Sequence, residues 1–215
     1  MVRDDSEPGR APGRQLRKSR LEAFSDGVFA IAVTLLVLEI SVPDGSEDDL
    51  LGAVADQWPS YLGYMAAFST IGVVWIIHSA VTEYLDRVDA AFVRLNLLLL
   101  MVVSFLPFPT RLLAEYLGED DAARVASTAF GLTLLAVAVL VALVWRHAVG
   151  RGLLRSDVDD EEIRTLTIRL TPGLGGYVGM IIVGLFLPTV AVIGYLTIAV
   201  ALLVVPLFTH KRAYA

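Results

Sequence analysis

The sequence predicts an all-α fold, an integral membrane bundle of six transmembrane helices. Three observations predict it. Hydrophobic residues make up 56% of the 215-residue chain and charged residues only 19%, with a mean hydropathy of +0.67; a water-soluble domain does not carry that balance. Six apolar stretches, most of them long enough for a hydrocarbon core of roughly 30 Å, are separated by charged or proline-bearing joints. Charge is also sorted between loops. Of the 17 lysines and arginines only Arg111 and Arg124 fall in the loops that alternate with the basic ones, which predicts cytoplasmic N- and C-termini. The opposite loops are acidic, with Asp44, Asp48, Asp49, Glu119 and Asp121 among them, a rim that would concentrate cations outside.

In chain order, residues 1–19 read as a polar cytoplasmic tail, rich in Arg, Pro and Gly. The apolar run behind them is too long for a cleavable signal sequence. A membrane domain, 20–209, follows. Helix 1 is expected over 20–41, where Pro43 and an acidic turn stop it. Helix 2 is expected over 58–83. Helix 3, over 90–116, carries Pro107 and Pro109, which kink or end it. Helix 4, over 122–146, is the cleanest apolar span. Helices 5 and 6, over 163–187 and 189–209, meet at Pro188, and Pro172-Gly173 disturbs the start of helix 5. Residues 210–215 form the second cytoplasmic tail.

Composition excludes several chemistries. There are no cysteines, so disulfides, thiol catalysis and cysteine metal sites are ruled out, and three scattered histidines do not suggest a metal site. No cofactor and no nucleic-acid partner is expected. Ser25 and His78 lack any Gly-x-Ser-x-Gly elbow, which argues against a hydrolase.

Helix 1, Arg-Leu-Glu-Ala-Phe-Ser-Asp followed by GVFAIAVTLLVLEI, places Arg20, Ser25 and Asp26 near one end of an apolar rod. Ionisable residues in such a rod face protein or water rather than lipid. At about 100° per residue, Ile31, Leu35 and Leu38 form one stripe with Thr34 at its edge, and Ser25 and Asp26 point almost oppositely. Two arrangements fit. Either the stripe meets lipid and Asp26 lines a cavity, or Asp26 is held among helices and the stripe faces something else.

Arg20-x-x-x-Phe24-Ser25-Asp26 opening the first span, Trp75 and His78 in helix 2, Asn96 in helix 3, and Phe105-Leu106-Pro107 together resemble the transmembrane protein 175 family, prokaryotic relatives of the endolysosomal potassium channel. The resemblance implies a potassium-permeable cation channel, a homotetramer whose first helices line a central pore in the lipid bilayer. It implies a constriction and gate at Ile31, Leu35 and Leu38, and potassium preference at Thr34. Arg20, Phe24, Ser25, Asp26, Trp75, His78 and Asn96 would form a network locking helix 1 to helices 2 and 3. The stretch Gly173 to Gly179 lacks the order of a carbonyl filter and better suits close helix contact. Other readings of the same residues are a proton-coupled cation transporter using Asp26 and His78, and a nonconducting membrane scaffold.

Overall fold

A computed structural model describes residues 13–170 and 172–209. Among them every regular element is helical, apart from an isolated bridge between Leu85 and Leu154. The outer part of the first expected tail, 1–12, and the whole of the second, 210–215, lie outside the described residues.

Helix α1 spans Gly13–Leu35 and continues as a 3₁₀ turn, Leu36–Glu39. It therefore begins before Arg20, because Arg14 to Ala23 are mostly strong helix formers with no breaker among them. A short lead-in, α2 (Leu50–Asp56), starts where the Asp49 carboxylate accepts the Gly52 N–H at 3.0 Å. Helix α3 (Trp58–Tyr84) opens with Pro59 in its first turn, where a missing N–H costs nothing. The third expected span is two helices, α4 (Ala90–Phe105) and α5 (Pro107–Tyr116), joined at Leu106 in front of Pro107.

Helix α6 (Asp120–Gly150) runs a turn beyond its expected end. Over the fifth expected span the described residues form a polar helix α7 (Asp160–Leu170) and an apolar helix α8 (Pro172–Gly184), and residue 171 between them lies outside the described residues. Helix α9 spans Pro188–Thr209. By length and composition four segments can cross a membrane: Lys18–Glu39, Trp58–Tyr84, Ala90–Tyr116 and Asp121–Gly150; α8 and α9 contribute shorter apolar stretches among the described residues.

The core sits where α3 packs on α9 and α5, and α6 packs on α4, α5 and α8. Phe130, Tyr177 and Tyr195 fill its middle. A second apolar cluster, with Phe92, Trp145 and Leu153, closes the end of the bundle near α7. Helix α1 lies on one side, against α3 and α4. It buries a smaller share of its length than the other three long spans.

Candidate functional site

The two faces of α1 have different chemistry. Ser25, Phe29, Ala32 and Leu36 are buried and recur at intervals of four, three and four, the spacing of one helical face. Ala32 is small enough for close approach to a neighbouring helix. Beside it, Phe29 places its ring against His78, centroids 5.3 Å apart and 62° between planes.

A chain of hydrogen bonds joins three helices on this face. The Asn96 side-chain amide of α4 donates to the Ser25 hydroxyl at 3.0 Å. Its oxygen lies 2.7 Å from His78 Nε2 of α3. With the amide in this orientation the oxygen accepts, so Nε2 is the ring nitrogen that carries the hydrogen. All three residues are buried. One turn away, Trp75 Nε1 donates to the Asp26 carboxylate at 2.9 Å, at the surface of the chain.

The opposite face is apolar and uncovered. Ile31 is 61% exposed and Leu38 is 70% exposed, with Leu35 between them also exposed. The 3₁₀ turn changes the register here. Residues three apart eclipse in a 3₁₀ helix, so the turn brings Leu38 toward the face of Leu35. Thr34 is exposed, and its hydroxyl donates to the Ile31 carbonyl at 2.9 Å, leaving its oxygen lone pairs outward.

The structure thus brings Ser25, Asn96 and His78 together, and Asp26 with Trp75. It does not bring Arg20 or Phe24 into either group. Phe24 is 55% exposed and falls on the Ile31 stripe, seven residues before Ile31. Arg20 has no ion pair among the described residues; the pair near this end of α1 is Lys18 with Glu22 at 3.9 Å. Asp26 and His78 are bonded to different partners and not to each other.

Sequence reasoning missed two fixings of α1. Phe29 packs on His78, and its spacing of four from Ser25 was the available signal. Lys18, in the polar turn before Arg20, donates to the Leu85 carbonyl at 2.8 Å, at the C-terminal end of α3. No side chain pattern in the linear sequence points to that carbonyl. Among the described residues no group of three or more His, Asp or Glu could hold a metal.

The family model described as endosomal/lysosomal potassium channel TMEM175 matches residues 20–107, the stretch that runs from within α1 through α4. A potassium channel of Streptomyces collinus is 44% identical over 200 residues, covering 90% of this chain and 96% of the relative. The crystal structure of a lysosomal potassium-selective channel TMEM175 homolog from Chamaesiphon minutus superposes with a TM-score of 0.79 at 36% identity, over 93% of this chain and 99% of that one. The endosomal/lysosomal proton channel TMEM175 of Gallus gallus is 39% identical over 110 residues, 47% of this chain and 22% of that larger protein. With its long apolar helices, a buried polar lock on the first of them, and near full-length likeness to a bacterial relative, the chain is a multi-pass membrane protein that belongs to the TMEM175 family.

Proposed function

We propose that the protein is a potassium-permeable cation channel, a homotetramer of six-span subunits with α1 lining the pore and both termini cytoplasmic. The observation that carries this reading is the division of α1. One face is fixed by buried hydrogen bonds, and the other leaves Ile31, Leu35 and Leu38 exposed among the described residues. Four copies meeting at an axis would turn that stripe into stacked aliphatic rings. Such rings stop ions by excluding water and conduct when widened enough to hydrate. Leu38, turned toward the face of Leu35 by the 3₁₀ turn, would deepen the dry zone. The Thr34 lone pairs would add weak cation coordination just beside Ile31, which favours potassium because it sheds water at less cost than sodium. Ser25, Asn96 and His78, with Asp26 and Trp75, would hold the rod in register and take no part in covalent chemistry.

The names of the vertebrate relatives bring in a second reading, proton movement through Asp26 and His78. The bonding pattern disfavours it, since neither residue reaches the other. Flux from liposomes holding the purified protein separates the two. Potassium efflux should follow the potassium gradient with no pH gradient present, and Ile31→Asn should raise it severalfold or erode preference over sodium. Efflux that needs a proton gradient and disappears in Asp26→Asn would replace the channel with a transporter.

A further inference from the structure

Where α3 and α6 end and α4 begins, two open cavities adjoin. One, of about 450 Å³, is lined by Arg87, Val88, Asp89, Gly150, Arg151 and Leu153. The other, of about 420 Å³, is a groove between α1 and α4, walled by Leu21, Phe24, Val93 and Leu97, with Arg20 also lining it. Val88 and Asp89 line both. The pair therefore offers cationic polar surface in one half and apolar surface in the other.

Its polar half is built in advance. Asp86 and Arg87 both donate backbone N–H groups to the Leu153 carbonyl, at 2.9 and 3.3 Å. The Arg87 guanidinium donates once to the Gly152 carbonyl at 3.2 Å, which fixes its direction and leaves its other N–H groups unspent. Gly152 makes this turn at φ +59°, a conformation other residues rarely adopt. Asp89 would repel an anion, but its charge is already engaged. One oxygen caps the Phe92 N–H at 2.7 Å, and both lie 3.0 Å from His147 Nε2. Arg87 and Arg151 line one cavity and Arg20 the other, with Asp89 the carboxylate residue common to both.

We propose that this double cavity binds an anionic phospholipid, its phosphate on Arg87 and Arg151 and an acyl chain in the α1/α4 groove. The inference rests on the membrane orientation argued above, which places these arginines at the cytoplasmic surface, where anionic headgroups meet basic pockets. An acyl chain there would lie between α1 and α4, against Leu21 and Phe24. Lipid occupancy would thereby bear on the position of α1.

Native mass spectrometry of the purified full-length protein, with phosphatidylglycerol and phosphatidylcholine offered in equal amounts, tests the idea. The wild type should retain phosphatidylglycerol preferentially. Arg87→Gln/Arg151→Gln should reduce that preference by about tenfold, since each basic residue near an anionic surface adds to lipid attraction. Leu97→Trp, which fills the groove and spares both arginines, should also reduce retention. Arg124→Gln, on the opposite side of the membrane, should leave it unchanged. Equal retention by the wild type and the double variant overturns the proposal. So does displacement of the lipid by inorganic phosphate at matching concentration, which would mark a simple anion site. A separate failure remains recognisable: liposomes without flux reject the channel reading while lipid retention is still measured.

Discussion

Asn96 is the residue on which the attachment of α1 turns. It is buried, and it hydrogen-bonds both Ser25 and His78. Removing it leaves a hydroxyl and an imidazole N–H without their partner in a site closed to water. Interhelical hydrogen bonds in membranes contribute modestly, but orphaned buried groups cost more than a lost bond. Asn96→Ala should therefore cost about 1–2 kcal/mol. Unfolding of the purified protein in mixed micelles measures this, and a midpoint equal to the wild type would show that the three-residue chain carries no stability. Of the two positions that failed to join the lock, Phe24 faces outward for a geometric reason. It is seven residues from Ile31, and seven residues return a helix to nearly the same face.

At the scale of elements, two junctions explain how the helices are seated. Asp89 caps α4 and meets His147 in the last turn of α6. The Phe92 N–H holds its carboxyl below the ordinary 3.8; burial opposes this, and His147 and Arg151 reinforce it. A depressed carboxyl stabilises the fold above its unfolded-state value and loses that contribution as pH falls through its folded-state value. Asp89→Ala should thus cost about 1–2 kcal/mol near neutrality, with the gap to wild type narrowing below pH 3.8. A gap that is constant across that range would rule out the charge as its source.

The second junction is α6 on α9. A Cβ at Gly131 would overlap the Tyr195 hydroxyl and come within 2.8 Å of Ile181 Cγ1. Tyr195 is fully buried, so it has nowhere to retreat. Gly131→Ala should destabilise by about 1–3 kcal/mol despite the better helix propensity of alanine. Thermal unfolding that is unchanged or raised would show that the core gives way easily.

For the whole molecule, the unpartnered stripe on α1 makes a prediction about assembly. The chain has no cysteine, so a single one can be introduced without background. Leu38→Cys, if four stripes meet at an axis, should form subunit-to-subunit cross-links with a short bis-maleimide in native membranes. Val125→Cys on α6, also well exposed, should not. Monomers alone from Leu38→Cys would mean that the stripe faces lipid, and the pore would have to be sought elsewhere.

Much of this protein was written in one dimension. Apolar length and the sorting of basic residues mark a multi-pass helical membrane protein, because a bilayer imposes its thickness and charge asymmetry directly on the chain. The opposition of Ser25 to Ile31 follows from a fixed rotation per residue, and the Arg20-to-Asp26 motif points to the family. Tertiary structure alone decided the rest. It bonded Asn96 to both Ser25 and His78, paired Asp26 with Trp75, left Arg20 outside the lock, and hung Lys18 on the end of α3. It also tightened the end of α1 into a 3₁₀ turn that turns Leu38 toward the face of Leu35. These outcomes depend on which side chains meet across helices distant in sequence. Helical periodicity fixes the direction in which a side chain points; only packing supplies the partner that stands there.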